Sequence, residues 1–178
     1  VSEQRYFAFL RAINTGSRRL TNEQLLAPFL ALGLTDVAAY QAAGNVTFCS
    51  DDAIDERRIE EELVSAFGFE APAFVRSAAE IEAIVAVEPF SPTEVAATAG
   101  RVQVTFLRSR PSPGQIARLG DLVPDADRVR VIGREWYWLP VEGVSGSALP
   151  VGRIEALLGE MTMRTLGTVA RMSSKFAR

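Results

Sequence analysis

The chain has 178 residues, 48% of them hydrophobic, which is enough for one medium domain or two small ones and too apolar for global disorder. A net charge of −3 gives no strong nucleic-acid footprint, and no run of about 20 apolar residues is present to span a membrane. The absence of histidine removes the commonest general base and the commonest zinc ligand together.

In chain order, residues 6–10 read as a buried strand. The loop Asn14-Thr15-Gly16-Ser17 leads to Thr21-Asn22-Glu23-Gln24, a capping box with Thr21 as N-cap. Leu25, Leu26, Phe29 and Leu30 form a helical stripe that Gly33 ends, with Pro28 set to kink the helix. Residues 37–42 and 46–49 flank Gly44-Asn45 and predict a β-hairpin, both turn residues suiting positive φ. A second helix is predicted over 54–67, with Ile59 and Leu63 facing in and Glu60, Glu61 and Glu62 mostly facing solvent. A strand over 72–76 and a helix over 78–87 follow. The order β-α-β-β-α-β is the ferredoxin-like motif.

Proline punctuates Glu88-Pro89-Phe90-Ser91-Pro92-Thr93, so 89–100 reads as a linker between halves 1–88 and 101–178. The order then restarts with a strand over 102–106 and a helix over 113–122. A hairpin of 129–132 and 136–139, a helix over 151–158 and a helical tail over about 165–176 complete it. The expected fold class is α+β: two tandem ferredoxin-like halves with antiparallel sheets and a C-terminal amphipathic helix. The repeat lies in pattern rather than in letters.

Charge divides unevenly. Residues 1–100 carry 7 basic and 15 acidic side chains, and residues 101–178 carry 12 and 7. Beyond Glu160 there are only bases: Arg164, Arg171, Lys175 and Arg178. Such asymmetry marks either an anion-binding face or two halves that attract each other. Cys49 has no second cysteine to pair with, and the first residues lack the basic start and apolar core of a leader. A reducing, cytoplasmic setting is therefore expected.

Three places could carry chemistry. The loop Arg11-Ala12-Ile13-Asn14-Thr15-Gly16 joins a strand to a helix N-terminus and has arginines nearby, which suits a phosphate or carboxylate. It lacks the P-loop pattern, and ordinary turn geometry also accounts for it. Gln41, Gly44 and Asn45 form the second place. The third is the tail, where Arg164, Thr168, Arg171, Lys175 and Arg178 fall on one face of a helix opposite Val169 and Phe176. A solvated face at a helix C-terminus explains the same stripe. Trp136-Tyr137-Trp138 alternates as core strand residues do, and Gly100-Arg101-Val102-Gln103 resembles only the first four letters of the acylphosphatase signature. Neither metal nor cofactor is expected.

Phe9-Leu10-Arg11-Ala12-Ile13-Asn14-Thr15-Gly16 resembles the L-R-G-I-N-V-G opening of a bacterial family, domain-of-unknown-function family 1697. The stretch Tyr40-Gln41-Ala42-Ala43-Gly44-Asn45-Val46-Thr47-Phe48 resembles its Y-x-Q-S-G-N-V-x-F motif, with a shifted residue around Ala42-Ala43. Thr162-Met163-Arg164-Thr165-Leu166-Gly167-Thr168-Val169 resembles an altered T-x-R-N-W-N-T-V. The resemblance implies two linked ferredoxin-like halves and no established activity. By position it marks Arg11, Asn14, Gly16, Gln41, Gly44, Asn45, Thr162, Arg164 and Thr168. Ala12 and Thr15 stand where the motif has Gly and Val. Gly146-Ser147-Ala148 stands where a basic serine-lysine segment is expected.

Arg, Asn, Gln and Thr orient and bind; they do not shuttle protons at neutral pH. The favoured expectation is a binding module for an anionic ligand, a nucleotide, phosphate ester or RNA, using these residues and Arg171. The second is a phosphate- or acyl-ester hydrolase in which Arg11 holds an oxyanion and Asn45 places a water. The third is a protein-interaction domain with an exposed sheet face. Oligomeric state, a homodimer included, is left open by the sequence.

Overall fold

The computed structural model describes residues 3–16, 19–41, 43–98 and 101–176. They divide into two compact units, Val1–Ile84 with Met172–Arg178, and Val85–Arg171.

Unit 1 begins with β1 (Gln4–Leu10), α1 (Asn22–Ala31), β2 (Thr35–Ala39) and β3 (Asn45–Ser50). It continues with α2 (Glu56–Phe67), β4 (Ala73–Ser77) and most of α3 (Ala78–Ala86). The strands form one antiparallel sheet in the order β2-β3-β1-β4, which is the ferredoxin-like arrangement. The capping box at Thr21 and Gln24 starts α1 as the sequence predicts, and Gly33 follows its end at φ 78°. Asp55 caps α2 and so delays it to Glu56. Strand β2 is shifted towards the N-terminus of its predicted span, because Gln41 leaves the extended region at φ 56°. A bulge at Asp36, φ 44°, is pinned by an ion pair with Arg5 from two strands away.

Alternate residues of β1, β3 and β4 (Ala8, Leu10, Val46, Phe48 and Val75) pack with Phe29 of α1 and Leu63 of α2. The opposite face is also buried: Phe7, Phe9, Asn45, Thr47, Phe74 and Arg76 are each at most 1% exposed. The edge of β4 is closed by α2. Glu60 accepts the Ala73 amide at 2.8 Å, and Glu56 accepts the Val75 amide at 2.6 Å and lies 3.8 Å from the Arg76 guanidinium. Glu60 is therefore half-buried against the edge strand rather than simply facing solvent. Its spacing of four from Glu56 puts both carboxylates beside amides two residues apart on the edge strand.

Unit 2 opens with α4 (Pro92–Ala96), which follows the last residues of α3. This short helix lies within the predicted linker and starts with a capping box, Ser91 with Glu94. Next come β5 (Gln103–Leu107), α5 (Pro113–Leu122), β6 (Arg128–Ile132) and β7 (Glu135–Leu139). Last are α6 (Val151–Leu158), β8 (Met161–Thr165) and α7 (Leu166–Phe176), whose final residues belong to unit 1. The sheet order β6-β7-β5-β8 repeats that of unit 1. Strand β8 is absent from the sequence reading. It pairs with β5 from Gln103↔Thr165 to Leu107↔Met161 and completes the second βαββαβ set.

Trp136 and Trp138 point into the core with Leu107, Leu119 and Ile154. The other face, carrying Val104, Phe106, Tyr137 and Thr162, is buried too, and only edge strand β6 keeps exposed residues there. No helix among the described residues is long and apolar enough to cross a membrane.

One buried carboxylate organises the end of this unit. Asp127, 6% exposed, accepts from Trp138 Nε1 at 2.9 Å, from the Val141 amide at 3.1 Å and from the Ser147 hydroxyl. Ser147 Oγ in turn accepts the Leu149 amide at 3.0 Å. Replacing Asp127 strands at least two buried donors at about 1–3 kcal/mol each. We expect Asp127→Ala to lower stability by roughly 3 kcal/mol in urea unfolding, and Ser147→Ala by about 1 kcal/mol. A neutral Asp127→Ala would show that water replaces the carboxylate at no cost.

Candidate functional site

The first two sequence motifs meet at one end of the unit 1 sheet. Strand β1 ends at Leu10, whose amide donates to the Gly44 carbonyl at 2.7 Å, and the Arg11 amide donates to Pro72 O at 2.9 Å. The β1–α1 loop thus leaves the sheet beside the β2–β3 turn. Both segments are bent by left-handed residues: Ala12 (φ 59°) and Gly16 (φ 60°) in the loop, Gln41 (φ 56°) and Gly44 (φ 69°) in the turn. Ile13 fixes the loop by burying its side chain in the core. Asn14 Oδ1 accepts the Leu20 amide at 3.0 Å, and Gly16 O accepts Arg19 Nη1 at 3.0 Å. Ser17 and Arg18 lie outside the described residues.

Glycine is required at 44 for two reasons. Its φ is left-handed, and a Cβ there would stand 3.0 Å from Leu10 O and 3.1 Å from the Ile13 side chain. Asn45 departs from expectation. It is not a positive-φ turn residue but the first residue of β3, fully buried and opposite Phe9. Its Nδ2 donates to Tyr40 O at 3.2 Å, while the Tyr40 amide donates to Asn45 O at 2.9 Å. Asn45 therefore ties the turn shut. Gln41 is exposed, and Arg11 is half-buried at the start of the loop.

Tyr40 has a further neighbour that the motif reading did not place with it. Phe176, near the end of α7, meets its ring edge-on at 6.3 Å between centroids. Lys175 Nζ lies 5.7 Å from the Tyr40 ring centroid and 5.2 Å from that of Phe176.

The third cluster belongs to unit 2, apart from Lys175. Thr162 and Arg164 sit on β8, not on the helix, so the predicted basic stripe shortens to Thr168, Arg171 and Lys175 on α7; Arg178 lies outside the described residues. The sheet claims Met161–Thr165 because β5 would otherwise keep an unpaired edge. Arg164 Nη1 donates to Thr162 Oγ1 at 2.9 Å and to Met163 O at 2.8 Å. Burial pushes its pKa down to about 10. Thr165 caps α7, its Oγ1 accepting the Thr168 amide at 3.1 Å, and Arg171 Nη2 donates to Thr168 Oγ1 at 3.2 Å.

Among the described residues, hollows lie elsewhere in each unit. One, of about 230 Å³, is lined by Glu3, Asp51, Asp52 and Asp55 against the single base Arg58, a charge balance that repels anions. Cys49 lines it, with its thiol pKa raised chiefly by burial. Another, about 520 Å³ between α5 and α6, carries Arg118 and Arg153 with Asp121. No group of three or more metal-ligating side chains occurs among the described residues.

A family model described as protein of unknown function (DUF1697) matches residues 4–137. The chain belongs to this family. The DUF1697 match takes in both motifs at the two-loop site and stops before the third, at 162–169. A conserved bacterial protein from Streptococcus pneumoniae has a similar fold, with a TM-score of 0.74 at 20% identity over 99% of this chain and 100% of that one. Curated proteins give no match.

Ala12 holds a left-handed φ of 59°, a conformation that glycine adopts without strain and a residue with a Cβ does not. A left-handed non-glycine residue costs about 1–2 kcal/mol, part of which glycine returns through unfolded-state entropy. Ala12→Gly should therefore raise stability by about 0.5–1 kcal/mol, whereas Gly44→Ala should lower it by about 2 kcal/mol or more. Denaturant midpoints decide both; equal effects at the two sites would contradict the geometry. For Cys49, burial favours the neutral thiol, so modification by a thiol reagent at pH 8 should be slow in the native protein and fast in urea. Equal rates would contradict its burial.

Proposed function

We propose that the chain is a binding module for a small anionic ligand, held where the β1–α1 loop and the β2–β3 turn adjoin in unit 1. The observation that supports this most is the joining of the two motifs by the Leu10–Gly44 hydrogen bond. Two non-glycine residues, Ala12 and Gln41, hold left-handed backbone there. Strain of this kind persists where the surrounding structure over-determines it, and it concentrates at ligand sites. Arg11 begins the loop and supplies a guanidinium. The helix N-terminus contributes less than the sequence suggests, because Thr21 already takes the Gln24 amide and Glu23 occupies the first turn of α1.

Among anions, a small molecule is favoured over RNA. A sheet that stacks bases must expose aromatic residues, yet Trp136 and Trp138 are at most 2% exposed. The hydrolase reading loses its water-placing group, since Asn45 is buried and bonded to Tyr40 O. The central strands also leave no open sheet face for a partner.

A thermal-shift panel of nucleotides, phosphate esters, carboxylates and short RNAs at fixed salt tests the reading. A ligand at 100 times its dissociation constant adds about 2.7 kcal/mol. The expected result is a raised midpoint with small phosphate compounds, lost in Arg11→Ala and kept in Arg153→Ala. The opposite pattern would move the site to the α5–α6 groove, and no shift with any anion would sink the reading.

A further inference from the structure

The sequence contains eighteen arginines and one lysine, and that lysine stands beside the two-loop site. Lys175 is exposed, on the last turn of α7, and its ammonium lies within 6 Å of the centroids of Tyr40 and Phe176. Tyr40 is the residue from which the β2–β3 turn departs, held at both backbone atoms by Asn45. Among the described residues Lys175 has no carboxylate within ion-pairing distance. The two rings and the negative end of the α7 dipole hold the ammonium in place without neutralising it, since ring quadrupoles and helix dipoles attract a cation but carry no net charge. Its charge is therefore available to a ligand at the adjoining turn.

Building on the anion-site reading above, we infer that Lys175 is a ligand-contacting residue of the two-loop site and that the ligand is a phosphate monoester. Arg11 supplies a planar, permanently charged fork from the loop, and Lys175 supplies a compact point charge from the helix end. Two cations of different shape from two segments suit a dianion better than a single carboxylate. The C-terminal turn of α7 thereby becomes part of the binding site, tied to it through Tyr40.

The single lysine allows a direct test on the intact protein. Reductive methylation with ¹³C-formaldehyde keeps the charge and places one ε-dimethylamino resonance at Lys175. Titration with phenyl phosphate, at ionic strength held constant with chloride, should move that resonance saturably. Lys175→Gln should weaken phenyl phosphate at least tenfold, Lys175→Arg should recover most of the loss, and benzoate should bind weakly to all three. Circular dichroism checks that the variants fold. An unmoved resonance, with a phenyl phosphate thermal shift that still depends on Arg11, would overturn the role of Lys175 while leaving the anion site standing. Benzoate binding as tightly as phenyl phosphate would overturn the ligand class. No thermal shift with either compound would overturn this inference together with the reading beneath it.

Discussion

The contact between Gly44 and the end of β1 is the constraint on which the site depends. The Leu10 amide reaches the Gly44 carbonyl at 2.7 Å, and no Cβ fits in the space left. That approach sets where the β2–β3 turn stops and where the β1–α1 loop starts. Left-handed residues then turn each segment out of the sheet, and Ile13 anchors the loop to the core beneath. Asn45 closes the turn from inside the sheet. Polar motif residues can serve a ligand indirectly in this way, by fixing the backbone that surrounds it.

A second constraint acts on the whole chain. The central strands of both sheets are largely buried on both faces, so polar residues on the less apolar face must be satisfied within the protein. Asn45 meets this through Tyr40, and Arg76 through Val75 O and Glu56. Arg164 meets it through Thr162 and Met163 at the cost of a lowered pKa.

Much of the fold was legible because local signals agreed with burial. The capping box at Thr21 and the stripe of Leu25 and Phe29 marked α1, and the predicted helix over 113–122 matches α5 at its observed bounds. Strand β8 was not legible. Met161-Thr162-Met163-Arg164-Thr165 lacks an apolar–polar alternation, since one of its faces carries Thr and Arg into a buried environment. Arg164 also falls in the period of α7, so it was counted with the helix stripe and the strand before it went unassigned. Helix α4 had a signal in Ser91-Pro92-Thr93-Glu94, but five residues are too few to show a stripe. Glu60 was misplaced because its partner, the Ala73 amide, lies thirteen residues away on an edge strand. Periodicity reports which side of a helix is wet on average; it says nothing of a backbone donor waiting beside it.

The site was legible in part for the same reason. Arg11, Asn14, Gly16 and Gly44 fall in two short motifs whose turn chemistry marks loops, and loops at one sheet end adjoin when their strands are neighbours. Lys175 could not be placed from sequence, because nothing in α7 indicates that its last turn returns to a residue 135 positions earlier. The basic stripe on α7 pointed to a helix face acting by itself. The contact with Tyr40 ties the end of that face to the turn, where a charge without a carboxylate has a neighbour that binding chemistry can use. Aromatic rings suit this role: a carboxylate there would neutralise the ammonium, and plain solvent would leave the long side chain disordered at a cost of up to about 2 kcal/mol in lost rotamer freedom when the ligand arrives. Within 6 Å of two ring centroids, the charge is positioned before any ligand is present.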